Sequence, residues 1–283
     1  MDIVILGSAG QIGAYLKDYL TKKGHEVTGV DIVEGIQNDL RVTPNAYIEN
    51  IIKEADFVFF LAFDVGGSHY LKKYQHTFQF INNNTRMMAN TFHLLEKYSK
   101  RFVFASSQMS NMSYSPYGVM KRVGELHTAA LKGLTVQFWN VYGIENDMEK
   151  AHVITDFIRR GFEEGEFKMM TDGIEERQFL YAEDCCEALE IVMDNYVDFK
   201  PEDPLHITSF ESTSIKDVAT IVQDCFNRIH KNNVKIKPGL AKDSVQMNKR
   251  NEADKHITSW WYPKTSIEDG ISKVFAAMQK NYE

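Results

Sequence analysis

The chain has 283 residues, 43% of them hydrophobic and 25% charged, with a formal net charge of −7. That composition describes a globular protein of roughly one to two domains. It argues against a nucleic-acid partner, whose phosphate backbone calls for clustered Lys and Arg. No apolar run approaches the roughly eighteen residues of a membrane span, so no membrane partner is expected. The short run Ile3 to Leu6 behind Asp2 does not make a signal peptide. The 3 cysteines, Cys185, Cys186 and Cys225, follow neither a metal-ligand spacing nor a disulfide framework. No metal is expected, and a reducing, cytoplasmic setting is.

Taken in chain order, Asp2 to Leu6 has a buried-strand pattern, and Gln11 to Lys22 a helical one with Ile12, Tyr15, Leu16 and Leu20 on one face. Gly24 ends that helix, and Val27 to Val30 predict the next strand. The rhythm continues with a helix over Ala46 to Lys53 and a strand over Phe57 to Ala62. A helix over Asn84 to Tyr98 and a strand over Phe102 to Ala105 follow, then a helix over Pro116 to Leu131 and a strand over Leu134 to Trp139. Apolar strands alternating with helices predict an α/β fold, a Rossmann-type doubly wound parallel sheet covered on both faces. After Gly143 the pattern loosens. Helices are expected over Ile154 to Phe162, Cys185 to Met193, Ile215 to Ile229 and Ile267 to Met278. Short strands are expected at Phe167 to Met170, Gln178 to Tyr181, Leu205 to Thr208 and Val234 to Ile236. Residues 1–143 then form a nucleotide-binding domain, and 144–283 mainly a smaller α+β substrate-binding region. Residues of about 174–195 return to the first domain.

Gly7, Gly10 and Gly13 stand between the first strand and the first helix. Glycines there let the backbone approach a pyrophosphate and let the helix pack tightly on the sheet, while the helix N-terminus offers free N–H groups. Asp31, 18 residues beyond Gly13, closes the second strand. A carboxylate there accepts hydrogen bonds from an adenosine ribose and repels a 2′-phosphate, which favours NAD over NADP. Asp39, next to Leu40, is a candidate for the adenine side. Tyr117 and Lys121 lie four apart on a predicted helix and so share a face. An ammonium beside a phenol favours phenolate, which can exchange a proton with a sugar hydroxyl. Ser107 ends an apolar strand and could orient the substrate oxygen. Ser106 is the alternative, because the alternation of facing does not choose between them.

These residues resemble the extended short-chain dehydrogenase/reductase family, in its NAD-dependent nucleotide-sugar epimerase/dehydratase branch, over nearly the whole chain. The glycine spacing matches, as do Asp31 and Asp39, the phrase Phe60 to Ala62, Ser106 and Ser107, Tyr117 with Lys121, Glu125, and Asn140 with Tyr142 and Gly143. Gly173, Arg177, Phe179, Tyr181 and Asp184 match a further phrase, and Ser259 to Ser266 another. The resemblance implies Ser107, Tyr117 and Lys121 as catalytic residues. It implies Gly7, Gly10, Gln11, Ile12, Gly13, Asp31, Asp39, Leu40, Leu61 and Ala62, with Tyr117 and Lys121, as NAD ligands. On the substrate side it implies Ser107, Gln108, Asn140, Arg177 and Arg250, the arginines gripping a diphosphate. Relatives often dimerise through the helices matching Asn84 to Tyr98 and Pro116 to Leu131, so a homodimer is expected.

Departures narrow the function. Gln108 and Met109 stand where sugar 4,6-dehydratases of the family carry an Asp-Glu pair, which argues against that reaction. The segment between Ser107 and Tyr117 is short, and Gln178 replaces an Asp. The leading expectation is a nucleotide-sugar epimerase working by transient oxidation at C4, with Tyr117 as acid/base. The alternative is a nucleotide-sugar 4-ketoreductase or dehydrogenase with exchangeable NAD(H). A non-catalytic sensor would be expected to have lost Tyr117 or Lys121, and neither is lost. Two-base epimerisation beside a ketone would need an extra acid and base. His152 is a conceivable player, although a lone histidine after a loop reads first as structural or exposed.

Overall fold

The computed structural model describes residues 1–145, 147–229, 233–243 and 251–283. Its centre is a sheet of six parallel strands: β1 (Asp2–Leu6), β2 (Glu26–Val30), β3 (Phe57–Phe60), β4 (Arg101–Ser107), β5 (Leu134–Phe138) and β10 (Leu205–Ile207). The strand order is β10-β5-β4-β3-β1-β2. The chain runs outward from β1 to β2, then crosses back to β3 and continues the other way. The connections leaving β1 and β3 therefore diverge and open a crevice at the strands' carboxyl ends.

Strand composition follows from burial on both faces. On one face Ile3, Ile5, Phe57, Phe59, Val103 and Val136 pack with α1 (Gln11–Lys22) and α7 (Ala182–Asp194). On the other, Val4, Leu6, Val58, Phe60, Phe102 and Phe104 pack with α2 (Ala46–Glu54) and α4 (Phe78–Lys97). The sheet is the parallel, doubly wound one that the periodicity predicts. A second core gathers α6 (Val153–Glu164), α8 (Ile215–Arg228) and α9 (Ile267–Gln279) around Phe167 and Phe179. Strands β6 (Asn140–Tyr142) and β9 (Phe179–Tyr181) pair in parallel beside it, as do β7 (Glu166–Lys168) and β12 (Lys235–Lys237). β8 (Glu176–Arg177) and β11 (Thr213–Ser214) pair antiparallel. Late segments also join the first core: β10 completes the sheet edge, and Ile257 and Trp261 pack under it.

Two elements differ from the sequence reading near the site. Helix α4 begins at Phe78 rather than Asn84: the Thr77 side chain caps Phe80 N–H at 3.2 Å, and Phe80 is buried. The run Asn82-Asn83-Asn84 hid this turn because asparagine is a poor helix former. Two of its side chains reach the loop at Asp64. Asn84 accepts from Asp64 N–H (2.7 Å), and Asn83 Nδ2 donates to Asp64 Oδ2 (2.9 Å). A further helix, α3 (Ser68–Tyr74), follows the Gly66-Gly67 pair, and its Leu71 packs with Phe80 and Tyr117. Leu61 and Ala62 lie beyond the end of β3.

Candidate functional site

The glycine turn is shaped by backbone contacts that leave no room for a side chain. Gly7 has φ +90°, and a Cβ on it would sit 2.7 Å from Ala62 N. A Cβ on Gly13 would lie 2.0 Å from Gly7 O, so α1 rests directly on the loop. Gly10 differs, since a Cβ there would meet only Gly7 O, at 3.3 Å. It caps α1 without any side-chain hydrogen bond, whereas α2, α4, α5 (Pro116–Ala130), α8 and α9 are capped by Asn or Ser/Thr side chains. The N-terminus of α1 thus keeps N–H groups for an anion. Gln11, in the amide orientation its surroundings require, donates to Val141 O (3.2 Å) and accepts from Gly143 N–H (3.1 Å).

Asp31 ends β2. Its Oδ2 accepts from Ala9 N–H at 3.0 Å and its Oδ1 from Val33 N–H at 3.2 Å. Ile32 and Val33 follow it, exposed and apolar, and among the described residues no cation forms an ion pair with this carboxylate; Lys17 pairs with Glu34 instead. Asp39 is buried, and Arg41 grips both its oxygens (2.8 and 2.9 Å). These hydrogen bonds hold the Asp39 carboxyl below the usual carboxylate range, against the pull of burial. Beside it the buried Asn38 Oδ1 has no partner among the described residues, an acceptor left over at the end of the crevice that the resemblance assigns to adenine.

At the other end β4 delivers the two serines to opposite tasks. Ser106 turns toward α5, where its hydroxyl donates to Glu125 at 2.6 Å; Glu125 also accepts from Gln137 (2.8 Å) and Arg122 (2.8 Å). Ser107 lines the crevice, and its hydroxyl, which accepts from Met109 N–H at 3.2 Å, is the side chain that lowers the Tyr117 phenol. The tertiary structure thereby selects Ser107. Ser115 caps α5 by accepting from Gly118 N–H (3.2 Å), Pro116 opens it, and Tyr117 sits in its first turn. One turn later Lys121 is buried, its Nζ donating to Ala105 O at 2.6 Å and lying 3.8 Å from the Phe63 ring centroid. Burial pushes the Tyr117 phenol up to about 12, opposed by the Ser107 hydrogen bond. Burial pushes the Lys121 ammonium down to about 7, opposed by the Glu125 charge. The short segment between Ser107 and Tyr117 is filled by one 3₁₀ turn, Gln108–Asn111, with Gln108, Met109 and Ser110 buried.

One cavity of about 1090 Å³ runs from the glycine turn past Asp31 and Asp39 to Ser107, Tyr117 and Lys121, and on to Asn140. Ile12, Leu40, Leu61, Ala62 and Gln108 line it too. The Asn140 side chain donates to Gln178 O at 3.3 Å, and Gln108 is tethered by Asn251, which donates to its carbonyl at 2.7 Å and to its side chain. Arg177 is placed differently from the expectation. It stands on β8, outside the lining of this cavity, and its guanidinium pairs with Asp243. Arg250 lies outside the described residues. Sequence reasoning missed Phe63 and the Asp64–Asn83–Tyr70 cluster, for which no motif signals, and the partner of His152. That histidine lines the cavity with its ring held by Glu145. Among the described residues no cluster of His, Cys, Asp or Glu could hold a metal, and no helix is long and apolar enough to cross a membrane.

The model of the NAD dependent epimerase/dehydratase family matches residues 3–207. The chain belongs to that family. Its resident cofactor is NAD, and the residues present fit it: a glycine turn that a Cβ would fill, an uncapped helix start, and a strand-end acid that forms no ion pair among the described residues. Among curated relatives, a UDP-N-acetyl-alpha-D-glucosaminuronate decarboxylase of Bacillus cytotoxicus is 27% identical over 76% of this chain and 77% of its own length. Among solved structures, a GDP-6-OMe-4-keto-L-xylo-heptose reductase from C. jejuni superposes with TM-score 0.83 at 18% identity, covering 99% of this chain and 98% of that one. A UDP-glucose 4-epimerase with UDP-glucose from Thermotoga maritima superposes with TM-score 0.77 at 20% identity over 100% of both chains. The chain is thus an enzyme of the NAD-dependent group whose members epimerise, dehydrate, decarboxylate or reduce nucleotide sugars.

Proposed function

We propose that this enzyme is a nucleotide-sugar epimerase that oxidises its substrate transiently at sugar C4, with a UDP-linked sugar as the first candidate. The observation that carries this reading is the continuity of one cavity from the glycine turn to the Ser107–Tyr117 pair, with no carboxylate at Gln108 or Met109 to drive 4,6-dehydration. Bound NAD supplies a hydride acceptor that later returns the hydride. Tyr117, as phenolate, takes the proton of the C4 hydroxyl; Lys121 favours that phenolate by charge; Ser107 holds the oxygen as it becomes a carbonyl. Reduction on the other face inverts the carbon, and Tyr117 gives the proton back. Asn140 and Gln108 lie on the substrate side. The proposal assigns NAD to residues 1–143 and the sugar nucleotide mainly to the later ones. Arg177, already paired and outside the cavity, supports a diphosphate clamp less than the motif implies.

Incubation with UDP-, GDP-, dTDP-, ADP- and CDP-sugars, followed by NMR of the products, tests the reading. Isomerisation without net change in NADH is the expected outcome. Stoichiometric cofactor oxidation or reduction would instead support the ketoreductase or dehydrogenase, and loss of carbon dioxide from a hexuronate a decarboxylase. Homodimerisation and a cytoplasmic setting belong to the same proposal. Ile81 on α4 and Val119, Val123 and Leu126 on α5 are exposed apolar positions on adjacent helices, a self-complementary face for a twofold contact. The three cysteines are free thiols, as a reducing compartment requires. Light scattering should give twice the chain mass of 32.6 kDa, and Leu126→Glu should return it to a single chain; a wild-type monomer rejects the dimer.

A further inference from the structure

The Ser107–Tyr117–Lys121 chemistry leaves one buried acid beside it without a task. Glu125 stands one turn beyond Lys121 on α5, as Lys121 stands one turn beyond Tyr117, so the three side chains share one helix face. That face docks on the end of β4 at two consecutive residues. Lys121 Nζ donates to Ala105 O at 2.6 Å, and the Ser106 hydroxyl donates to Glu125 Oε1 at 2.6 Å. Glu125 is 3% exposed. Its Oε1 also accepts from Gln137 (2.8 Å), and its Oε2 from Arg122 (2.8 Å). Burying a carboxylate is costly even among donors, and a glutamine would fill the same space without the charge. The surroundings of Lys121 supply a reason for the charge. Its Nζ lies 3.8 Å from the Phe63 ring centroid, 5.2 Å from that of Phe104 and 5.8 Å from that of Tyr117. Rings and a carbonyl attract a cation but carry no net charge. Burial works against the ammonium, and Glu125 is the one charged group among the described residues that favours it. Arg122 offsets part of the Glu125 charge from the solvent side, its own side chain being 57% exposed.

We propose that Glu125 is a positioning residue of this site, a buried counter-charge that keeps Lys121 an ammonium while Tyr117 exchanges its proton. This rests on the reading of Ser107, Tyr117 and Lys121 as the reacting group. The neighbouring serines then have separate roles: Ser107 works on the phenol, and Ser106 holds the counter-charge of the lysine. Gln137, paired beside Ser106 in the sheet, holds the same carboxylate oxygen. Burial and Ser107 set the Tyr117 phenol. Removing the Glu125 charge should therefore ease the loss of the Lys121 proton and leave the phenol where it is.

Lys121 can be read directly, without a substrate. NAD-loaded protein carrying ¹³C at lysine Cε is titrated by NMR, and Lys121→Met assigns the resonance. In the wild type it should titrate at about 7. Glu125→Gln keeps an Oε1 that accepts from Ser106 and Gln137, and the exposed Arg122 can turn to water, so Tm and NAD retention should hold. The Lys121 midpoint should fall by about one unit, close to a tenfold smaller ammonium fraction at pH 8. Ser106→Ala removes a donor but no charge and should leave the midpoint in place. Arg122→Gln strips the offsetting cation at an exposed position and should raise the midpoint, which keeps the proposal testable even if Glu125→Gln does not fold. An unmoved midpoint in Glu125→Gln or in Arg122→Gln overturns the proposal, as does an equal fall in Ser106→Ala. With a nucleotide sugar that is turned over, Glu125→Gln should match the wild type at pH 5, fall to about a tenth of it at pH 8, and level about one pH unit lower. A structural role would scale the rate alike at every pH. Turnover with an unmoved midpoint leaves the C4 reading standing and removes only the counter-charge. A shifted midpoint with no turnover of any nucleotide sugar does the reverse.

Discussion

Tyr117→Phe is expected to lower turnover by about a thousandfold, close to 4 kcal/mol of barrier, while NAD remains bound. The phenol oxygen is the group that exchanges a proton with the substrate hydroxyl, and the ring alone fills the same packing site against Phe63 and Leu71. The fold should therefore tolerate the change, and Ser107 still accepts from Met109 N–H at 3.2 Å. The pH profile of the wild-type enzyme carries the same argument. Oxidation needs Tyr117 deprotonated and Lys121 protonated, and burial sets these groups at about 12 and about 7. Below about pH 7 the ammonium is intact and the phenolate fraction grows tenfold per unit, so kcat should climb about tenfold per unit. Above about pH 7 each gain in phenolate is offset by an equal loss of ammonium, and the profile should level. A rate that falls between pH 5 and 7 would contradict this assignment, and full activity in Tyr117→Phe would remove the mechanism altogether.

The second large effect concerns the glycine turn, where two substitutions separate fold from site. Gly13→Ala places a methyl 2.0 Å from Gly7 O, with Gly7 C and Ser8 Cα at 2.9 Å behind it. All three are backbone atoms, and the loop is pinned by Gly7 N–H to Val30 O (2.8 Å) and Ala9 N–H to Asp31 (3.0 Å). Nothing can rotate away, so α1 must lift from the sheet. Overpacking of this kind costs about 1–3 kcal/mol, which should appear both as a lower Tm and as loss of retained NAD. Gly10→Ala meets only Gly7 O at 3.3 Å and leaves the packing intact. Its methyl occupies space on the cavity side, so Tm should hold while NAD retention drops. Calorimetry beside absorbance of the released cofactor reads both. Equal Tm loss in the two variants would show that Gly10 is a packing glycine too.

Much of the fold was legible because its signals are local. Phe57 to Phe60 can only be a strand covered on both faces, and β3 is buried at every position. Gly7, Gly10 and Gly13 state their geometry through spacing alone, and Tyr117 and Lys121 through one helical turn. Legibility stopped where a local propensity was overridden by distant partners. The Asn82-Asn83-Asn84 run concealed the first turns of α4, because what holds Asn83 and Asn84 there is the distant Asp64 loop. The short β10 gave no sign of which sheet it would enter, since strand partners are chosen by the tertiary fold.

The amino-acid sequence by itself determined the order of strands and helices, the glycine turn and the turn-apart placement of Tyr117 and Lys121. Each depends on residues within a few positions of one another. Only the tertiary structure decided that Ser107 rather than Ser106 faces Tyr117, because Glu125 from α5 claims the other hydroxyl. It alone paired Arg177 with Asp243 away from the cavity, and set His152 in the grip of Glu145 on its wall. Those outcomes are competitions among charged and polar groups brought together by packing, and no spacing along the chain encodes which partner is nearest.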